Sequence, residues 1–179
     1  MFRIQNAVLL IIDVQGKLAS LMHEKGQLFT RLKGLIRAAQ ILEIPIIYTE
    51  QVPEKIGKTV PEVAELFKNQ PPITKTSFSC WGSDPFQKKL LGLKRKQIFV
   101  AGIETHVCVY QTVADLLEAK FEVQVVADAV SARSCSNHQI AIERMKTLGA
   151  GITCLEMITC ELLRTADHAQ FKDILALIK

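Results

Sequence analysis

The chain has 179 residues, 49 % of them hydrophobic, and a formal net charge of +4. That length fits one domain with a sizeable core, and no apolar run approaches the ~20 residues that cross a bilayer. Leu93-Lys94-Arg95-Lys96 is the only basic cluster, and with few aromatics and no recognised motif the charge gives no argument for nucleic acid. A mean hydropathy of +0.19 suits a parallel sheet buried on both faces, or an oligomer that hides further apolar surface. The five cysteines, Cys80, Cys108, Cys135, Cys154 and Cys160, are odd in number and lack CxxC spacing, which argues against a disulfide framework. The stretch before Asp13 is too short for a signal peptide, so a cytoplasmic location is expected.

Val8-Leu9-Leu10-Ile11-Ile12 is a continuous apolar run and reads as a buried strand ending at Asp13-Val14-Gln15-Gly16. Leu28, Leu32, Leu35, Ala39 and Leu42 then recur at spacings of four and three, which predicts a helix over 25–42. Pro45 opens a strand, Ile46-Ile47-Tyr48-Thr49. The polar stretch 50–60 reads as a loop, and Pro61 starts a short helix through 62–68. Residues 73–78 read as a short strand running into a loop. Asp84-Pro85-Phe86-Gln87 reads as a helix start with Asp84 at the N-cap. A strand over 97–101 leads into Gly102-Ile103-Glu104-Thr105-His106-Val107-Cys108, and a helix follows over 112–120. Val123-Gln124-Val125-Val126-Ala127 is a further strand, ending at Asp128. Ser136 resembles the N-cap of a helix that Gly149 closes, Ile152-Thr153-Cys154-Leu155 is a last strand, and two helical segments complete the chain.

Six alternations of strand and helix predict an α/β fold. The expectation is a three-layer doubly wound sandwich, with a mostly parallel six-stranded sheet, helices on both faces and one domain over 1–179. In such sheets a site lies beyond the carboxyl ends of the strands. That rule selects Asp13, Gln15, Glu50, Lys75, the Cys108 turn and Asp128. A thiol at a helix start is favoured as thiolate by the helix dipole. Asp13 can serve it as general base, Lys75 can stabilise the charges, and turn N–H groups can receive an oxyanion. Each residue alone also has an ordinary structural reading: a core cysteine, a capping aspartate, a solvated lysine.

Three motifs in order resemble the isochorismatase-like cysteine hydrolases over nearly the whole chain. They are Ile11-Ile12-Asp13-Val14-Gln15, Thr74-Lys75-Thr76-Ser77-Phe78-Ser79 and Ala101-Gly102-Ile103-Glu104-Thr105-His106-Val107-Cys108-Val109. Tyr48-Thr49-Glu50-Gln51-Val52-Pro53 makes it most similar to the isochorismatase domain-containing proteins. The resemblance implies a catalytic triad of Asp13, Lys75 and Cys108, with a cis peptide between Ile103 and Glu104. It also implies an oxyanion hole built from the backbone N–H groups of Glu104 and Cys108. The implied reaction is cleavage of a C–N bond in a small amide through a thioester on Cys108. The family's nicotinamidases bind a metal through an Asp-x-His and a further His after the second strand. Residues 49–53 hold no histidine, so neither metal nor other cofactor is expected. True isochorismatases lack the cysteine, so isochorismate is not the expected substrate. Gln15, Glu50, Phe78 and Trp81 are candidate substrate contacts, and Phe78 and Trp81 read equally as core or interface residues. The expected partners are a small-molecule substrate and further copies of this chain, a dimer or larger, with no nucleic acid and no membrane. Two alternatives remain open: a non-catalytic binding protein on the same scaffold, and a thiol redox sensor, which the lack of CxxC spacing disfavours.

Overall fold

The structure, a computed structural model, describes residues 1–67 and 70–178. Six parallel strands form one sheet: β1 (Ala7–Ile12), β2 (Ile46–Gln51), β3 (Ile73–Lys75), β4 (Gln97–Ile103), β5 (Glu122–Ser131) and β6 (Gly151–Thr153). Their order is β3-β2-β1-β4-β5-β6, every neighbouring pair parallel. The connections carry α1 (Gly16–Ser20), α2 (Lys25–Ile41), α3 (Pro53–Ile56), α4 (Pro61–Ala64), α5 (Asp84–Gly92), α6 (Tyr110–Glu118), α7 (Cys135–Thr147), α8 (Leu155–Leu163) and α9 (Phe171–Ile178). This is the expected three-layer α/β sandwich.

The layers follow from the period-2 alternation of strand side chains. Ala7, Leu9 and Ile11 of β1, with Phe99 and Ala101 of β4, pack against Leu28, Leu32 and Leu35 of α2, Ile158 of α8 and Ile174 of α9. Val8, Leu10 and Ile12, with Ile98 and Val100, pack on the other face against Phe86 of α5, Val113 and Leu116 of α6, and Met145 of α7. Each such side chain, fully buried, contributes ~1.5–3 kcal/mol. An unbroken apolar run, rather than an alternating one, is what a two-sided environment selects. Among the described residues no helix is long and apolar enough to cross a membrane.

The chain lays down β1, β2 and β3 outward, then returns to start β4 beside β1. The resulting switch point puts the ends of β1 and β4 side by side, where ligands bind in such sheets. Two backbone features make that junction. Asp13 turns the chain off β1 at φ 48°, a left-handed conformation that aspartate tolerates better than most residues. Gly102, at φ 116°, lies opposite Ile12, and a Cβ there would stand 2.1 Å from the Ile12 carbonyl oxygen.

Several boundaries differ from the sequence reading. Residues 50 and 51 extend β2, and the supposed loop contains α3, because Pro53 pre-sets a helical first turn. The helix α1 was not foreseen. The helix expected over 62–68 is α4 and a 3-10 turn, and Lys68 lies outside the described residues. Ser83, not Asp84, is the N-cap of α5; Ser134, not Ser136, caps α7 by accepting from the Asn137 N–H. The last strand stops at Thr153, since Cys154 is already the cap of α8. Asp128 is not a strand end. The β4–β5 register shifts beyond Val100, β5 continues to Ser131, and Asp128 accepts from the Leu155 N–H at the start of α8.

Gly102→Ala is expected to cost about 2–6 kcal/mol, combining backbone strain with overpacking. That lowers Tm by roughly 5–20 °C for a chain of this size. Gly26→Ala, with nothing within 4 Å of the new methyl, should raise Tm by about 1–4 °C. Thermal melts followed by circular dichroism test both, and equal Tm values for the two variants would contradict the described approach of β4 to β1.

Candidate active site

Lys75 ends β3 and points inward, its side chain fully shielded from solvent. A buried ammonium needs a partner for its charge and an acceptor for each N–H. Its Nζ donates to Asp13 Oδ2 at 2.5 Å and to the carbonyls of Ser77 and Phe78 at 3.0 Å each. Thr49, on the intervening β2, donates from Oγ1 to Asp13 Oδ1 at 2.7 Å. Both carboxylate oxygens are thereby fixed, and three strands are tied at their carboxyl ends.

Cys108 lies in a π-type turn, Thr105–Val109, between β4 and α6. The turn runs directly into α6, so Cys108 lies near the start of a continuous helical segment, as the sequence predicts. Burial is the largest influence and pushes the thiol pKa up. The Asp13 charge pushes it the same way, and Lys75 opposes both. The sulfur thus lies beside the Asp13 carboxylate, in surroundings that raise its pKa. Its Sγ donates to Gln51 Oε1 at 3.3 Å. Cys80, wholly buried behind Thr49 with 3.7 Å between Sγ and Oγ1, has its thiol pushed up to about 11, again chiefly by burial.

The Ile103–Glu104 peptide bond is cis. Among the described residues no protein acceptor takes the Glu104 N–H. The Glu104 carboxylate receives Arg133 Nε at 2.9 Å, with the guanidinium mostly in solvent.

Asp13, Cys108 and Glu104 open onto a cavity of about 130 Å³. Its other walls are Gln15, Leu18, Gln51, Ile56, Phe78, Ile103 and Val107. Of the candidates read from the sequence, Asp13, Gln15, Phe78, Glu104 and Cys108 therefore meet at one cavity, with Lys75 directly behind Asp13. Phe78 is 52 % exposed and stands at the mouth. Gln15 touches the cavity, but its carboxamide is engaged by backbone. It donates to the carbonyls of Gln51 and Gly57 and accepts from the Gln51 N–H. Glu50 turns away, because strand side chains alternate; one of its oxygens accepts from both the N–H and the hydroxyl of Thr59. Trp81 is not part of the cavity; its ring packs edge-on against Phe121 at 5.6 Å. Alternation also explains the residues that sequence reading missed. Thr49 and Gln51 share the face opposite to Glu50, and ending β2 at Thr49 left Gln51 in a loop. His106 faces Asn137 at 3.4 Å, on the surface side of the turn.

Among the described residues no three His, Cys, Asp or Glu side chains gather where they could hold a metal ion. Glu50, near the end of β2, is engaged by Thr59. The residues present do not fit a nicotinamidase-type metal centre.

The isochorismatase domain model matches residues 7–157. Mouse isochorismatase domain-containing protein 2A is 35 % identical over 176 residues, covering 98 % of this chain and 84 % of that protein. Among solved structures, one described as the MAR1 ribonuclease of Caenorhabditis elegans superposes with a TM-score of 0.92 at 39 % identity, covering 99 % of this chain and 91 % of that one. Two YcaC proteins also superpose with a TM-score of 0.92. That of Pseudomonas aeruginosa, with hexane-2,5-diol and covalent acrylamide, is 28 % identical and covers 98 % of this chain and 90 % of its own. That of Escherichia coli, described as an octameric hydrolase of unknown specificity, is 27 % identical and covers 98 % and 89 %. With motifs, fold and match all spanning nearly its full length, this chain belongs to the isochorismatase family.

Proposed function

We propose that the protein is a metal-independent cysteine hydrolase that cleaves the C–N bond of a small amide through a thioester on Cys108. The observation that carries this reading is a thiol on a cavity wall beside a carboxylate that Lys75 and Thr49 hold rigidly.

In the proposed reaction the amide carbonyl enters the cavity and Asp13 accepts the thiol proton as Sγ attacks the carbonyl carbon. Attack and deprotonation occur together, so no free thiolate has to be stored in the buried site. The oxyanion is received by the N–H groups of Glu104 and Cys108, aimed where charge develops. Collapse breaks the C–N bond, and Asp13 returns its proton to the leaving nitrogen, which departs as ammonia. A water then gives its proton to Asp13 and attacks the thioester, releasing the carboxylic acid and restoring the thiol. Lys75 keeps the carboxylate in place throughout.

The covalent acrylamide on P. aeruginosa YcaC supports an amide-sized ligand for this chain as well. The same reading takes residues 1–179 as one hydrolase domain, cytoplasmic and homo-oligomeric. Exposed Leu21, Ile140 and Met157 and the octamer of E. coli YcaC are in keeping with an oligomer. The C. elegans neighbour suggests a second reading, RNA cleavage. It is disfavoured because phosphodiester chemistry needs cations at the phosphate, and no lysine, arginine or histidine lines the cavity.

Two experiments test the proposal. Wild type should release ammonia from propionamide and, after acid quench, carry a propionyl mass increment on Cys108. Cys108→Ala should lose at least ~10³-fold of the activity; ammonia release unchanged in that variant overturns the assignment, and cleavage of RNA by both forms favours the second reading. The thiol itself is tested by iodoacetamide near neutral pH. Exposed Cys135 and Cys160 should label faster than Cys108. In Asp13→Asn the carboxylate that raises the thiol pKa is gone while Lys75 still lowers it, so Cys108 should label faster as turnover falls. Slower labelling in that variant would contradict the base assignment.

A further inference from the structure

Resting on the cysteine-hydrolase reading, we infer that the substrate is an electrically neutral primary amide with a short apolar acyl group, and that the site rejects amides carrying a second charge. The layout of charge carries the inference. Two acidic residues line the cavity, Asp13 and Glu104, and the cations that pair with them, Lys75 and Arg133, are not part of its wall. All three N–H groups of Lys75 are taken by Asp13 and the Ser77 and Phe78 carbonyls. Arg133 pairs with Glu104 from the solvent side and is not part of the wall.

An anionic substrate group would meet two like charges and no free cation. A cationic group would fare little better. Both Asp13 oxygens are engaged, Glu104 already holds Arg133, and Leu18, Ile56, Ile103 and Val107 cannot solvate an ammonium. What the cavity does offer is neutral polarity. Gln51 presents its carboxamide beside Cys108, while Gln15 is occupied by backbone. Gln51 Oε1 can accept from the substrate NH2 once the thiol proton has moved to Asp13.

Size points the same way. The cavity of about 130 Å³ is well below the ~300–1,000 Å³ of a drug-sized pocket. Such a cavity favours a short acyl group over a long one.

Matched pairs test the inference: propionamide against cationic glycinamide, and isobutyramide against anionic oxamate, with hexanamide as the long member. The neutral member of each pair should have a kcat/KM at least ~100-fold higher, because an unpaired buried charge is rejected strongly. Hexanamide should fall below propionamide. Glu104→Gln removes the negative charge of one lining residue and leaves Arg133 unpaired, so the ratio of oxamate to isobutyramide turnover should rise about tenfold or more. Oxamate or glycinamide within ~tenfold of its neutral partner overturns the inference, yet leaves the hydrolase reading standing if Cys108→Ala abolishes that turnover. An unchanged ratio in Glu104→Gln overturns the charge argument, and hexanamide preferred over propionamide overturns the size argument. If none of the amides is consumed and no acyl group forms on Cys108, the hydrolase reading fails and the inference with it.

Discussion

The buried ion pair between Lys75 and Asp13 is the interaction on which the site depends. Lys75 comes from β3, a three-residue strand at the edge of the sheet, and Asp13 from β1, two positions inward. Bringing two charges out of water costs several kcal/mol per ion, and the attraction offsets that only where every remaining hydrogen-bonding position is answered. Here each is answered: Thr49 from the strand between them on one side, the Ser77 and Phe78 carbonyls on the other. Those carbonyls belong to a loop that is itself anchored to α6, through Ser79 Oγ to Asp115 and the Cys80 N–H to Thr112 Oγ1. Helix α6 grows directly out of the Cys108 turn. Ion pair, loop, helix and thiol therefore form one closed circuit, and the position of the Cys108 thiol relative to the Asp13 carboxylate is set by elements outside the cavity wall.

That circuit also surrounds the sulfur with groups that raise its pKa. Cys108 is buried, faces a carboxylate, and has its proton held by a neutral carboxamide. The opposing influence of Lys75 is reduced because its charge is already paired with Asp13. On the proposed reading, activation is tied to the arrival of a carbonyl in the cavity, and selectivity to the cavity's shape and charge.

Asp13, Lys75 and Cys108 were legible because each is a polar residue closing an apolar strand or opening the turn beyond it, at the end of the sheet where such folds bind ligands. What stayed hidden needed knowledge of pairing. The length of β2 determines whether Glu50 or Gln51 faces the site, and two residues more or less cannot be read from one strand's composition. The need for glycine at position 102 exists only because Ile12 lies opposite it. Asp128 looked like a strand end because Val123-Gln124-Val125-Val126-Ala127 looks complete; the register shift against β4 that extends β5 is a property of the pair. The caps were displaced by one or two residues for a local reason. Two candidate caps stand close together at each helix start, Ser83 and Asp84 at one, Ser134 and Ser136 at the other, and the choice between them is made by backbone conformation.

The residues that seemed surplus at the substrate side have a common task. Gln15 grips both the N–H and the carbonyl of Gln51, and Glu50 grips Thr59 on the segment that returns beneath it. The Val52 N–H is bound to the Lys75 carbonyl. Between these fixed points Val52 is driven to φ 38°, a left-handed conformation that costs a β-branched residue on the order of 1–3 kcal/mol. Such strain persists only where the surroundings over-determine it, and here five hydrogen bonds at residues 50–52 do so. Their effect is to present the Gln51 side chain to Cys108 from a backbone that cannot yield. On the proposed reading, a wall held by these bonds on the Gln51 side favours a short acyl group over a long one.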